Sequence, residues 1–178
     1  MPTKKQQQVQ QTVDKRFVDW DGLQKILRGD VFSLLEILEK DNDNQTLRRA
    51  YVRGVCGYFE GCTNGLYAFL EKANQHCPDD EKLKLPDINK DDFAYIKIEK
   101  IIEWCENRLQ VSHEEAFFKE RLEKLKPVFV LRNHLMHPEN PSKLVVEEAA
   151  IEEIRLGLMI YLESMDSIYA RFQTMQDS

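Results

Sequence analysis

The sequence predicts an all-α fold, an up-and-down bundle of about four to five helices. Apolar residues recur at three- and four-residue spacing through most of the chain, as "FVDWDGLQKIL" and "IEEIRLGLMIYL" show. Strand-like alternation is nearly absent, and "KLVV" at Lys143–Val146 is too short to define a sheet. Turn-forming stretches separate the helical segments at "DNDN", "HCPDDEKLKLPDINKDD" and "HPENP".

The elements follow in order. Residues 1–12 are polar and glutamine-rich and are expected to be a flexible tail, with a single helical domain over 13–178. The first helical region spans about Thr12 to Lys40, with Phe17, Trp20, Leu23 and Leu27 on one face. "RGD", Arg28–Asp30, is expected to interrupt it, because Gly29 weakens a helix and Asp30 can cap a new one. Such a junction explains the tripeptide without an adhesion role. Phe32, Leu34, Leu35 and Leu38 then supply a second apolar face.

"DNDN", Asp41–Asn44, makes a turn, and a long helix follows over about Gln45 to Gln75. Its buried stripe is Leu47, Tyr51, Val55, Tyr58, Cys62, Leu66, Phe69 and Leu70. Gly54, Gly57, Gly61 and Gly65 lie three and four apart on it, which points to close approach by another helix. No lysine-serine ending and no preceding strand accompany them, so they are not a phosphate loop. Arg48 and Arg49 are expected on the surface near the start of this helix.

His76–Asp92 is the one substantial loop, and Tyr95, Ile98, Ile101, Ile102, Cys105 and Leu109 mark the next helical face. Ser112 with Glu115 reads as a capping box that launches a helix from about His113 to His137. Phe117, Leu122, Leu125, Val128, Phe129 and Leu131 are available to pack, and Pro127 is expected to kink or split that helix. Pro138 and Pro141 enclose a turn. The last helix, expected from Val145, carries Ile151, Ile154, Leu158, Leu162, Met165, Tyr169 and Phe172 towards the core, with an acidic opposite side.

A chain of 178 residues suffices for one domain with a sizeable core. Its net charge of -6 argues against broad, non-specific nucleic-acid binding and leaves room only for a local pocket. No stretch reaches the length of a membrane span, and no apolar run follows the N-terminal lysines, so neither a membrane protein nor a secretory signal is expected. Cys56, Cys62, Cys77 and Cys105 form no CxxC pair. They read as free, mostly buried thiols of a reducing, cytoplasmic compartment, and their spacing does not suit zinc.

The chemistry concentrates in "LRNHLMHPENP", Leu131–Pro141. Arg132, Asn133, His134 and His137 fall at a helix C-terminus. Cations there interact favourably with the helix dipole and cap loose carbonyls, which accounts for one positive group but not for this density. Arg132 and His137 lie five residues apart, about 140° round an ideal helix, so they flank a groove rather than stack. Two copies of this groove facing each other would place two arginines and two histidines around one anion. That set suits RNA phosphodiester cleavage: histidine moves protons near neutral pH, arginine holds the phosphate, and the 2′-hydroxyl is an internal nucleophile needing no metal. Glu139 is the one adjacent carboxylate, which is a poor start for a metal site. Arg53 and Glu60, seven apart on the glycine-rich helix, are candidates to line such a groove, with Glu60 holding Arg132 or a histidine. The bland reading of that pair is a structural salt bridge or plain solvation.

"RNHLMH", Arg132–His137, resembles the R-x4-6-H motif of the HEPN superfamily, with the family's polar residue directly after the arginine. "LRRAYVRGVCGYFEGCTNGLYAF" is similar to the second-helix pattern of small bacterial HEPN-like proteins. The resemblance covers roughly residues 15–173. It implies a HEPN-like bundle and a metal-independent ribonuclease that acts as a homodimer on RNA, without a cofactor, in toxin–antitoxin or other defence systems. It carries the catalytic arginine to Arg132, the polar position to Asn133 and the closing histidine to His137, with His134 at most supporting. Some members keep the fold without catalysis and bind a partner protein, such as an antitoxin or a nucleotidyltransferase. A non-catalytic interaction or regulatory protein is therefore the alternative expectation.

Overall fold

The apolar stripe on the second helical segment becomes the centre of the molecule. The computed structural model describes residues 4–77, 82–89, 92–109 and 115–176. The described helices are α1 (Lys4–Lys40), α2 (Gln45–Gln75), α3 (Ala94–Arg108), α4 (Glu115–Met136) and α5 (Glu148–Gln176). A 3-10 turn at Pro141–Leu144 precedes α5, and no strand occurs among the described residues. The all-α bundle expected from helical periodicity is the observed architecture. α2 packs against each of the other four helices, and α1 is its most extensive neighbour.

Asn44 starts α2 as the turn chemistry requires, its side chain accepting from the backbone of Thr46 and Leu47. Tyr51, Val55, Tyr58, Cys62, Leu66, Phe69 and Leu70 are buried, as the stripe predicts, whereas Leu47 is only half-buried. A Cβ at Gly54 would stand 2.8 Å from Leu34 Cδ1, and one at Gly61 would stand 2.7 Å from Leu27 Cδ1. At Gly65 it would meet Trp20 Cδ1 at 3.1 Å and Leu23 Cδ2 at 3.2 Å. The absence of side chains at these positions thus admits α1 against α2. Gly57 is different, with nothing within 4 Å of the same position.

Two aromatic groups pack in and against the core. Phe17, Trp20, Phe69, Tyr169 and Phe172 gather from α1, α2 and α5, with Trp20 and Phe69 stacked at 6.2 Å. Trp20 Nε1 donates to the Cys62 carbonyl at 3.1 Å, which satisfies the buried indole. Tyr58, Phe59, Phe129 and Tyr161 form the second group. There Thr63 Oγ1 donates to the Tyr161 hydroxyl at 2.7 Å, and that hydroxyl donates to the Phe59 carbonyl at 3.1 Å.

The structure corrects several expectations. α1 runs through Arg28–Asp30 without a break. One interior glycine costs roughly 1 kcal/mol, and the buried residues on both sides of it outweigh that. Arg28 is engaged across the bundle, 2.9 Å from Asp166 of α5, and Asp30 faces solvent instead of capping. α1 also begins at Lys4, so it takes in most of the segment expected as a tail. Pro127 does not split α4. Pro127, which lacks an N–H, and Glu123, whose carbonyl would have accepted from it, are both exposed residues. α5 starts at Glu148, and Val146 is buried in the connector rather than in a helix. The capping box at Ser112 and Glu115 and the packing of Phe117 and Leu122 lie outside the described residues and side chains.

Cys56, Cys62 and Cys105 are free and fully buried, and Cys77 is half-buried. Burial pushes the thiols of Cys56, Cys62 and Cys105 from 9.0 up to about 12. Burial likewise raises the Tyr51 hydroxyl to about 12.

Three tests follow from this packing. Gly29→Ala should raise stability by up to about 1 kcal/mol, because α1 is continuous there and the added methyl meets no atom within 4 Å. Gly65→Leu should lose roughly 2–3 kcal/mol in urea denaturation, because the ring of Trp20 is pinned by its hydrogen bond. The second test is alkaline. A raised thiol or phenol value means that folding holds the proton more tightly, so the stabilisation is complete below the unfolded value and disappears as pH rises. The urea midpoint should stay level to about pH 8.5 and then fall towards pH 12. Iodoacetamide at neutral pH should label Cys77 of the folded chain well before the other three.

Candidate functional site

The site is assembled at the end of α4 by the first turns of α2. A basic residue early in a helix sits badly with the helix dipole, and α2 has no acid in its first turn to offset one. Arg48 nonetheless occupies that region and is only 5% exposed. Its Nε donates to the Asn42 carbonyl at 2.6 Å and its Nη1 to the Val146 carbonyl at 2.7 Å, with Asp43 at 3.5 Å from Nη2. Gln45 joins it, its side-chain amide giving to and taking from the Val146 backbone at 3.2 and 2.8 Å. Arg49 donates to the Leu144 carbonyl at 3.2 Å, and Arg53 to the Leu135 carbonyl at 3.2 Å.

These bonds correct the expectation of a surface role for Arg48 and Arg49: Arg48 is buried and Arg49 half-buried. Both act as hooks for the connector between α4 and α5. The sequence signal was available in their position, since cations in the first turns of a helix need acceptors from elsewhere. Arg53 meets one of the last carbonyls of α4, which have no partner within their own helix.

The held end of α4 then presents its side chains. Arg132 Nη2 lies 3.8 Å from Glu60 Oε2 on α2, and Nη1 donates to Asn133 Oδ1 at 3.2 Å. Both charged side chains keep about a third of their surface, 34% and 31%. The His137 backbone N–H donates to the Asn133 carbonyl at 3.0 Å and closes the last turn. Its imidazole is exposed, as are Asn133, His134 and Glu139. Within one chain the structure joins Arg132 to Glu60 and Asn133, and no described side-chain contact joins it to His137. His134 faces another way. It lines a groove of about 180 Å³ between α4 and α5 with Val130, Leu131, Ala150 and Glu153.

Cys56 sits beneath this cluster, its thiol 3.8 Å from the Val128 carbonyl. Burial and then the Glu60 carboxylate push its pKa up to about 12 against the pull of Arg132. It is therefore a protonated packing group rather than a nucleophile. Among the described residues no three His, Cys, Asp or Glu side chains gather as a metal site, and no helix is long and apolar enough to cross a membrane.

The arrangement favours anion capture with a low barrier. A part-exposed ion pair at 3.8 Å contributes less than about 1 kcal/mol, so a phosphodiester can compete with Glu60 for the guanidinium. Asn133 beside it offers an amide donor. No family model, curated protein or solved structure matches the chain.

The hooks carry their own prediction. Arg48→Ala should lose roughly 2–4 kcal/mol in chemical denaturation, because it strips hydrogen bonds from two carbonyls and leaves a void. Arg49→Ala, which is less buried, should lose no more than about 1 kcal/mol.

Proposed function

We propose that the chain is a metal-independent endoribonuclease of the HEPN type, a cytoplasmic toxin or defence component that acts on RNA as a homodimer. One observation carries the reading: Arg132 stands part-exposed at the secured end of α4, held loosely by Glu60 and Asn133, with the exposed His137 at the turn that follows. The resemblance of Arg132–His137 to the family motif supplies the chemistry. Arg132 holds the scissile phosphate and stabilises the charge that grows on it. Asn133 orients a phosphate oxygen. His137 of one copy takes the proton of the 2′-hydroxyl, and His137 of the other gives a proton to the departing 5′-oxygen. The products are a 2′,3′-cyclic phosphate and a 5′-hydroxyl, and the atoms balance without water or metal.

A second reading has an observation in its favour. Glu60 and Asn133 already satisfy part of Arg132 within one chain, as a polar cluster in a non-catalytic interaction protein would. That reading makes the chain a regulatory partner of an antitoxin or a nucleotidyltransferase, with no RNA turnover.

The deciding experiment is cleavage of labelled RNA in the presence of EDTA, with end-group analysis. Cyclic phosphate ends are expected, with at least a hundredfold loss, roughly, for Arg132→Ala and for His137→Ala while helical content is kept. Absence of turnover, or turnover indifferent to both substitutions, rejects the nuclease site.

A further inference from the structure

Among the described residues, none covers one side of α2. Arg53, Gly57 and Asn64 are exposed there, and Glu60 lies half-buried at its edge. Leu34, Leu27 and Leu23 of α1, seated on Gly54, Gly61 and Gly65, wall it on one flank, and Arg132 of α4 borders it on the other.

Three glycines of α2 admit α1, but Gly57 admits nothing, with no atom within 4 Å of a Cβ there. A glycine inside a helix is destabilising, and this chain alone gives it no compensation. The charged neighbours keep capacity for further partners. Arg53 and Glu60 straddle Gly57 on the same side, about 10 Å apart along the axis, too far to pair with each other in one helix. Each has one polar contact among the described residues, Arg53 with the Leu135 carbonyl at 3.2 Å and Glu60 with Arg132 at 3.8 Å.

We propose that this side of α2 is the contact between two copies of the chain, crossing antiparallel at Gly57, with Arg53 of each copy against Glu60 of the other. With the two-fold axis between Cys56 and Gly57, Arg53 of one copy lies level with Glu60 of the second, and Arg49 with Asn64. The pattern is its own complement under a two-fold rotation, which is what an interface between identical chains demands. Gly57 lets the two helix backbones come close at the crossing, and the leucines of α1 supply apolar surface beside it. The pairing turns Glu60 into a shared acceptor, between Arg132 of its own chain and Arg53 of the second copy. It also draws both Arg132 side chains towards one axis. This deepens the nuclease reading, which needs two copies, but it can be tested apart from it.

The test is sedimentation of the 178-residue chain. Wild type should run at twice 21.0 kDa. Gly57→Leu should run as a monomer with an unchanged helical circular dichroism spectrum, since its side chain enters open space. Arg53→Glu and Glu60→Arg should each weaken the dimer about a hundredfold, because each sets two pairs of like charges in contact. An equimolar mixture of those two variants should recover the dimer, because their altered positions attract each other and the unaltered pair is intact. A monomeric wild type, a dimer that survives Gly57→Leu, or folded variants whose mixture stays monomeric would overturn the pairing. A dimer obeying this pattern without RNA cleavage rejects the nuclease reading alone. RNA cleavage by a chain whose dimer ignores Gly57→Leu rejects the pairing alone.

Discussion

A buried guanidinium must be met by acceptors, and meeting Arg48 organises one whole end of this molecule. Its two short hydrogen bonds reach carbonyls that are far apart in sequence, Asn42 in the first turn and Val146 in the last connector. The α1–α2 turn and the approach to α5 are thereby tied to one helix. Gln45, Arg49 and Arg53 add further ties from the same two turns of α2. The connector has little regular structure with which to satisfy its own backbone. Side chains from α2 do that instead, and the end of α4 is fixed as a consequence.

α2 therefore works on several sides at once. One side sheds its side chains so that Leu34, Leu27 and Trp20 of α1 can press close. Another buries Tyr51, Val55, Phe59 and Leu66 in the core. Its N-terminal arginines hold the connector, and Glu60 reaches Arg132. A helix used in this way has little freedom to shift, because every displacement loses packing on one side or hydrogen bonds on another. The uncovered side at Gly57 stands out against that economy, and pairing between two copies gives it a physical reason.

The chemistry proposed for the α4 end rests on contrast between a rigid frame and loosely held groups. Leu135 is buried and its carbonyl is met by Arg53, while Arg132, Asn133 and His137 project from the same turns towards solvent. The acidic surface elsewhere makes extended RNA binding costly. A single phosphate meeting one part-exposed guanidinium is compatible with a net charge of -6, since short-range contacts dominate over screened distant charges.

The sequence by itself determined the helices. Periodicity, the "DNDN" turn and the glycine row located α2 and its close neighbour, because those signals are local and act within a few residues. It also marked Arg132, Asn133, His134 and His137 as an unusual cluster at a helix end, through composition alone. Only the tertiary structure decided which of them meet. It placed Glu60 beside Arg132, sent His134 to the α5 side, and left His137 apart from Arg132 within one chain. It likewise kept α1 whole through Gly29 and buried Arg48, against local expectation. The physical reason is the same in each case. Burial energy and carbonyl acceptors contributed by distant segments outweigh a local propensity of about 1 kcal/mol, and no window of sequence contains those distant segments.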